Sequence, residues 1–457
     1  MRRSWFAGVV MLLVMMSSPA CGARWSASER AAIAKRERGA VSLTREATDA
    51  DTVDTPAAEA TDEGTATTLP GATATPGRTN TVAAQGAPCN AASTAPGVTA
   101  KEITVGTVST VSGPRPGFGA SAQAGVEAYV AYRNATGGVC GRKVKLLTGD
   151  DGFDNAQNRA VVTEMSSKVL GITGGTALAD VGSADVGAEK KIPVVTLAIS
   201  PQYRAVSNVF DLNPNLDDVH KPIGEFKWYY EHGARKVAIV YVGADQARNE
   251  VRDRQRPLME AAGLQVVNVQ ELPVSTLSFD SAARGVANSG ADYLFFLHEP
   301  GSNVQMARAI AESGYKGLKF AEYFSAYGTD FIAAAGSDGA GAVSWIRTLP
   351  TEDGGVNPEQ KLYLHWMATA APGSMRDLFS ADSWTSAKAF FDTLQSLKGP
   401  ITRDALIAAL HAIPTYDAGG FMAPMRFGAE RSNGCYIGMH VVSGKWERLT
   451  PTSGFLC

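Results

Sequence analysis

From about Lys101 to the C-terminus, short apolar runs alternate with segments of helical apolar spacing, and this alternation is the strongest constraint on the fold. The alternation predicts βαβ units and parallel sheets covered on both faces. About 360 residues of this pattern exceed what one hydrophobic core comfortably holds, so two α/β lobes are expected. Helices are predicted at Ser121–Asn134 and Asn155–Lys168. The predicted strands are Ile103–Val108, Lys143–Leu147, Val169–Thr173, Ile192–Leu197, Lys236–Val242, Leu264–Val269, Ala291–Leu297 and Lys319–Glu322.

The N-terminus has the pattern of a secretory signal over residues 1–20. Two arginines precede an apolar stretch, Trp5–Met16, that is too short to span a bilayer. The following Ser18-Pro19-Ala20-Cys21 resembles a bacterial lipobox, although Ser18 stands where Leu is usual. We therefore expect a lipidated Cys21 and anchoring to the outer face of the cell membrane. The alternative is a plain secretory cut after Ala20.

Residues 21–98 are predicted to form a disordered linker after the lipidated cysteine. No Phe, Tyr or Trp occurs between Trp25 and Phe118, and the segment from Asp49 to Pro88 is built from Ala, Thr, Gly, Pro and acidic residues. Such a composition cannot bury enough apolar surface to offset the entropy of ordering. The predicted role is a solvated spacer between the membrane and the folded domain, which begins near residue 99.

The cysteine count agrees with an extracytoplasmic location. If lipid occupies Cys21, four cysteines remain for two disulfides in an oxidising compartment. Three connectivities are open. We favour Cys89–Cys140 with Cys435–Cys457, because each pair falls next to strands that we expect to be neighbours.

Composition and motifs argue against several functions. The 42 basic and 45 acidic residues nearly balance, which does not favour nucleic-acid binding. No metalloprotease, thiol-redox, serine-hydrolase, dinucleotide or P-loop motif occurs, so we predict no enzyme, cofactor or metal site. His298 beside Glu299 could serve acid–base chemistry, but no nucleophile accompanies them. The acidic run Asp150–Asp154 is interpreted as a strand-end turn with an N-cap at Asp154 rather than a calcium loop.

Two glycine-rich loops follow predicted strands, where α/β sheets bind their ligands. They are Ser112–Gly119 and Gly174-Gly175-Thr176, and the second offers backbone N–H groups that suit an anion. Glycine-rich turns also occur for packing reasons alone, which is the alternative interpretation.

A series of motifs occurs in order along roughly 101–457, and the most specific of them is Asn134–Val144. The others are Ile103–Gly106, Ser112-Gly113, Asp150-Asp151, Ile192–Val195, Lys236–Val240, Ala291–Leu294 and Ala311–Gly314. In this order the motifs resemble the leucine/isoleucine/valine-binding protein family, the type I periplasmic solute receptors of ABC importers.

The resemblance implies two Rossmann-like lobes with parallel sheets, joined by a hinge of three chain crossovers, that close on a small solute. The crossovers would lie near 218–220, 339–343 and 426–433. Lobe 1 would then comprise about 99–218 and 343–426, and lobe 2 about 220–339 and 433–457.

The resemblance also implies ligand contacts. Phe118 would cover the solute, and a carboxylate seat would lie at Thr176, Ala177, Ala198 and Ser200. Gln246 and Glu299 stand at two positions where the family has aromatic residues. The acid that should neutralise an ammonium near Tyr323 is missing, so Glu322 or Glu299 is expected to replace it. Each Glu could instead be a surface residue, and Phe118 and Tyr323 could be core aromatics.

The predicted function is therefore a monomeric, lipid-anchored receptor that hands a small amino acid-like, amide or carboxylate solute to an ABC permease. A sensor or scavenger with the same clamp is the alternative. An adhesion protein of the cell envelope would show no ligand-dependent closure.

Overall fold

The computed structural model describes residue 93 and residues 95–114, 117–212, 224–425 and 435–456. The predicted signal peptide, linker, Cys21, Cys89 and Cys457 lie outside these residues. So do the predicted crossovers near 218–220 and 426–433.

The described residues contain two sheets. One has five strands in the order β2-β1-β3-β4-β5, all parallel, and the other has seven in the order β12-β11-β10-β9-β8-β6-β7. The strands are β1 (Glu102–Ser109), β2 (Lys143–Asp150), β3 (Ile172–Thr173), β4 (Val194–Thr196), β5 (Val209–Asp211), β6 (Lys236–Val242), β7 (Gln265–Leu272), β8 (Tyr293–Leu297), β9 (Phe320–Tyr323), β10 (Ala342–Ile346), β11 (Ile437–Val442) and β12 (Lys445–Thr450).

Helices cover the sheets. They are α1 (Ala120–Ala135), α2 (Asn155–Ser166), α3 (Ala184–Glu189), α4 (Pro201–Arg204), α5 (Gly224–Glu231), α6 (Asp245–Glu250), α7 (Arg256–Ala261), α8 (Asp280–Ser289), α9 (Pro300–Glu312), α10 (Thr329–Ala335), α11 (Pro358–Ala370), α12 (Leu378–Ser396) and α13 (Arg403–His411). A π turn, Val251–Gln255, joins α6 and α7 into one helical segment. Short 3₁₀ turns lie at Asp180–Ser183, Gly336–Gly339, Thr351–Asp353 and Ala418–Gly420.

Local sequence signals account for several helix starts. The side chain of Asp154 accepts a hydrogen bond from Gln157 N, which confirms the expected N-cap of α2. Asp377 and Ser380 form a capping box at the start of α12. A Cβ at Gly125 would lie 2.2 Å from the Ser380 carbonyl oxygen, so α1 can approach α12 this closely only with glycine there.

The predicted two-lobed α/β architecture is confirmed, with differences in detail. The second sheet is mixed, because β11 and β12 pair antiparallel beside the parallel strands β7, β6, β8, β9 and β10. Strand β10 pairs with β9, so the chain leaves the second lobe after Ile346, several residues beyond the expected crossover at 339–343. Helices α11, α12 and α13 then share a hydrophobic core with the first sheet.

No helix among the described residues combines the length and apolar character that a membrane span requires.

Candidate functional site

A cavity of about 440 Å³ lies where the carboxyl ends of the two sheets face each other. The first lobe lines it through loops after β1, β2, β3 and β4 and through the start of α12. The second lobe lines it through residues that end or follow β6, β7, β8, β9 and β10. The volume falls within the range of ~300–1,000 Å³ that is usual for small-molecule sites. The position is where parallel α/β sheets bind ligands.

The first lobe presents a nearly uniform apolar wall. Phe118 and Phe379 meet with ring centroids 5.0 Å apart, and Arg204 is the one charged residue among the described residues of this wall. The apolar lining residues of this lobe are Phe118, Phe153, Leu178, Leu197, Ile199, Pro201, Leu378 and Phe379.

The second lobe presents a wall that is much more polar. The helical segment 245–261 contributes Gln246, Asn249, Glu250, Asp253 and Arg254, and the last two lie within the π turn. A π turn inserts one residue per turn and is frequent at functional sites. The remaining lining residues of this lobe are Val242, Ala244, Ala247, Val274, Leu297, His298, Glu299, Phe324, Ser325, Trp345, Ile346 and Arg347.

The carboxylates on this second wall are engaged by neighbouring groups. Glu250 Oε1 accepts hydrogen bonds from Arg254 Nη1 at 3.2 Å and from Gln255 Nε2 at 2.8 Å. Glu299 contacts His298 Nδ1 with one oxygen and accepts from Ser302 Oγ with the other. Asp253 accepts from Arg252 with both oxygens, so all three of these carboxylates already have partners before any solute arrives.

Two contacts join the lobes around the cavity. Gln246 Nε2 donates to the Leu178 carbonyl oxygen at 3.1 Å. Arg347, just after β10, donates to the Leu212 carbonyl oxygen at 2.5 Å and forms a buried ion pair with Asp382 on α12. Side chains that bridge the lobes beside the cavity can couple its contents to the distance between the lobes.

Three of the predicted contact residues line the cavity: Phe118, Gln246 and Glu299. Their contact with a solute remains a prediction. The sequence interpretation did not identify Phe153, Leu178, Ile199, Arg204, Arg254 or Trp345, which also line it.

The predicted carboxylate seat does not face the cavity as an open donor site. The backbone N–H of Ala198 donates to Asp211 Oδ1 at 3.1 Å, and those of Ile199 and Ser200 donate to the carboxylate of Asp180 at 2.6 and 3.1 Å. Burial raises the pKa of Asp180 to about 7, and the hydrogen bonds from Ser200 and Ile199 oppose this rise. Two side-chain carboxylates of the protein thus occupy the donors expected to bind a solute.

Two backbone N–H groups of the glycine-rich turn after β3 are also satisfied internally, although the buried Thr176 hydroxyl has no hydrogen-bond partner among the described residues. Gly175 N donates to Ser383 Oγ at 3.1 Å, and Thr176 N donates to Ser109 Oγ at 3.3 Å. Thr176 is fully buried, and Ala177 packs beside a separate core cluster of the first lobe. The predicted anion seat is therefore taken up by packing of the turn against β1 and α12.

Glu322 and Tyr323 lie in the interior of the second lobe. Tyr293 Oη donates to Glu322 Oε2 at 2.5 Å, and Glu225 and Tyr229 also hydrogen-bond to this carboxyl group. Burial raises the pKa of Glu322 to about 7, against the effect of these hydrogen bonds. Tyr323 belongs to the core on the opposite face of the sheet. Neither residue lines the cavity, because the alternation along β9 directs their side chains into the two faces of the sheet.

A two-lobed α/β fold with a cavity at the meeting strand ends defines a protein of the solute-binding class. The family model for periplasmic binding proteins matches residues 102–445, and the chain belongs to this family. A Leu/Ile/Val-binding protein homologue of Brucella abortus is 26% identical over 228 residues, which cover 47% of this chain and 57% of the relative. The chain thus matches little more than half of that relative's length.

Solved structures share the fold. A fatty acid ABC transporter substrate-binding protein from Thermomonospora curvata superposes with a TM-score of 0.67 at 19% identity, covering 80% of this chain and 95% of that one. An ABC transporter substrate-binding protein from Aeropyrum pernix gives a TM-score of 0.66 at 17% identity, covering 76% and 95%. These similarities support the α/β architecture of the family.

Proposed function

We propose that this protein is the extracytoplasmic solute receptor of an ABC importer and that it closes as a clamp around a small solute. The observation that carries the proposal is the cavity enclosed by both lobes at their strand ends. Further support comes from the relatives, which are described as a Leu/Ile/Val-binding protein homologue and as ABC transporter substrate-binding proteins.

Closure would follow from differential binding. A solute that touches both walls stabilises the arrangement in which the lobes approach, and the closed form is the one a permease recognises. Gln246 and Arg347 already connect the lobes beside the cavity, so a closed arrangement needs few new protein contacts. The expected solute is an amino acid-like, amide or carboxylate compound, bound by a monomer.

The first test is thermal melting of the purified full chain against amino acids, amides and carboxylates, followed by small-angle scattering with each compound that binds. A solute at 100 times its Kd should add about 2.7 kcal/mol to the free energy of unfolding. A binding compound should also reduce the radius of gyration. Binding with unchanged scattering would contradict the clamp.

Coupling to an importer needs a separate test. Uptake of the identified solute should fall in cells that lack this chain and return when the chain is restored. Normal uptake in the deleted strain would favour the alternative of a sensor or scavenger that uses the same clamp.

Anchoring and disulfides complete the proposal. We expect lipid on Cys21, which mass spectrometry of the N-terminal peptide and of a Cys21→Ala variant would reveal. We expect the pairs Cys89–Cys140 and Cys435–Cys457, to be checked by peptide mapping without reduction. The support is that Cys140 and Cys435 are both buried, with 2% and 1% of their surface exposed.

A further inference from the structure

Two carboxyl groups hydrogen-bond to each other inside the second lobe. Glu225 lies in the first turn of α5, and its carboxyl group is joined to that of Glu322 on β9. A carboxylate offers only acceptors, so two carboxyl groups can form this hydrogen bond only when one of them carries a proton. The arrangement in the structure therefore requires at least one proton at Glu225 and Glu322, which we call the acid pair.

The groups around Glu322 donate to its carboxyl group, so the required proton lies on Glu225. Tyr293 Oη on β8 donates to Glu322 Oε2 at 2.5 Å, and the phenol of Tyr229 on α5 also hydrogen-bonds to this carboxyl group. Burial raises the pKa of both members of the acid pair, and the charge of Glu322 raises that of Glu225 further. Arg254 on the π turn opposes the rise at Glu225. Two acids in such close contact release their protons in steps that belong to the pair as a whole.

A short series of hydrogen bonds connects the acid pair to the cavity. Trp345 Nε1 donates to Tyr229 Oη at 3.0 Å, and the same phenol hydrogen-bonds to the acid pair. Trp345 lines the cavity on the second-lobe wall. Arg254 provides a second connection, because it lines the cavity, forms an ion pair with Glu250 at 3.2 Å and lies near Glu225. A change of charge at the acid pair therefore reaches two residues of the cavity wall.

The acid pair also lies beside the segments through which the chain enters and leaves the second lobe. Glu225 is in α5, the first described helix of this lobe, and Trp345 is in β10, after which the chain leaves it. Tyr436 directly precedes β11, where the chain is again part of this lobe. Burial raises the pKa of Tyr436, and the charge of the nearby Glu225 adds to this rise. A change at the acid pair can therefore act on the segments that join the lobes.

Loss of the proton would disturb this arrangement. Two ionised carboxylates at hydrogen-bond distance repel each other. Glu322 is 1% exposed, whereas Glu225 keeps partial contact with solvent, so Glu225 is the member that would turn towards water. Tyr229 lies four residues further along α5, on the same face of the helix, and would move with it. The hydrogen bond from Trp345 to Tyr229 would then weaken.

We propose that the acid pair is a proton-binding site coupled to the cavity, and that loss of its proton favours the arrangement in which the lobes are apart. The proton site stands on the hydrogen bond between the two carboxyl groups, whereas its coupling to solute binding rests on the receptor function proposed above. A solute that stabilises the closed lobes then binds together with a proton, because the two equilibria are linked.

Infrared difference spectroscopy of the full chain tests the proton site. Raising the pH from about 5 to about 9 should remove the C=O stretching band of protonated carboxyl groups. Glu225→Gln should lose less of this band, because the amide donates to Glu322 without holding a titratable proton. Glu322→Gln tests the same point with the amide donating to Glu225. The control Glu231→Gln, at an exposed acid of the same helix paired with Lys227, should lose as much as the parent. An unchanged loss in either folded variant of the acid pair would overturn the proton site.

Small-angle scattering of the same variants tests the coupling. The radius of gyration of the parent should rise between about pH 5 and about pH 9, and that of Glu231→Gln should follow it. Glu225→Gln should rise less, because its amide keeps the hydrogen bond to Glu322 when no proton is bound. An equal rise in Glu225→Gln and Glu231→Gln, or no rise in the parent, would overturn the coupling. The receptor function is decided separately, by solute binding and uptake.

Discussion

The two lobes build their cavity walls in different ways. In the first lobe, internal carboxylates and hydroxyls accept hydrogen bonds from the backbone N–H groups at the strand ends, and the described surface left for a solute is apolar apart from Arg204. In the second lobe, one helical segment with a π turn brings charged and amide side chains directly to the cavity.

The difference shows how one fold can change its ligand without changing its architecture. The fold places backbone N–H donors at the strand ends, but here the buried Asp180 accepts their hydrogen bonds, so they are not open to a solute. The cavity is then lined by side chains such as Arg254, which a single substitution can alter.

The largest expected effect on stability comes from breaking the buried ion pair between Arg347, just after β10, and Asp382 on α12. Asp382→Ala would leave Arg347 buried without its anion, which should lower the free energy of unfolding by about 3–5 kcal/mol. Thermal melting measures the loss. The double variant Arg347→Met/Asp382→Leu should recover much of it, since no buried charge remains. Asp404→Ala, at an exposed pair with Lys191, is the control and should melt close to the parent. Equal melting of Asp382→Ala and the control would refute the prediction.

A smaller loss of stability is expected when Asp180, the acceptor for two backbone N–H groups of the first lobe, is removed. Asp180→Ala leaves the buried N–H groups of Ile199 and Ser200 without their acceptor, at a cost of about 2–3 kcal/mol. Formate or acetate should raise the melting temperature of this variant by filling the vacated site. Asp185→Ala, at an exposed pair with Arg159, should show no such rescue. If formate affects both variants alike, the N–H groups are not the binding site.

The sequence predicted the architecture well, for a clear physical reason. Strands buried on both faces are continuous apolar runs, as in Lys236–Val242, which coincides with β6. Predicted strand Val169–Thr173 is shortened to Ile172–Thr173 in the structure. The short strand β5 and the strands from β10 onward were not predicted.

The site was only partly predictable. Phe118 was identified because the resemblance places an aromatic residue of this loop over the solute. The carboxylate seat was mispredicted because Asp180, which accepts from its N–H groups, lies twenty residues from Ser200. No local pattern reveals that contact. Arg254 was missed because the π turn departs from the regular helical spacing, which a search based on periodicity assumes.

The second lobe should carry part of the pH dependence of stability. Burial raises the pKa of Glu322 from 4.5 to about 7, and it also raises the pKa of Glu225, which shares a hydrogen bond with Glu322. The folded chain therefore holds a proton that the unfolded chain releases, so this contribution to stability is present below pH 4.5 and is lost as the pH rises through 7. Glu322→Gln should reduce the fall in the free energy of unfolding between pH 4.5 and 7 by about 1–2 kcal/mol. Glu260→Gln, at the exposed pair with Arg256, is the control. Identical pH profiles for the parent and Glu322→Gln would show that Glu322 does not titrate in this range.

The smallest expected effect comes from removing the hydrogen bond between Gln246 on the second wall and Leu178 on the first. Gln246→Ala removes one partly buried hydrogen bond between the lobes, worth about 1 kcal/mol or a five-fold change in an equilibrium. The loss should favour the open arrangement of the chain without solute and slightly raise its radius of gyration in small-angle scattering. Gln123→Ala removes a comparable hydrogen bond to Glu127 within α1 and should leave the scattering unchanged. If both variants scatter like the parent, the contact between Gln246 and Leu178 does not hold the lobes together, and closure depends on Arg347 and on the solute. If only Gln246→Ala opens, the contact between Gln246 and Leu178 sets the resting distance between the two walls.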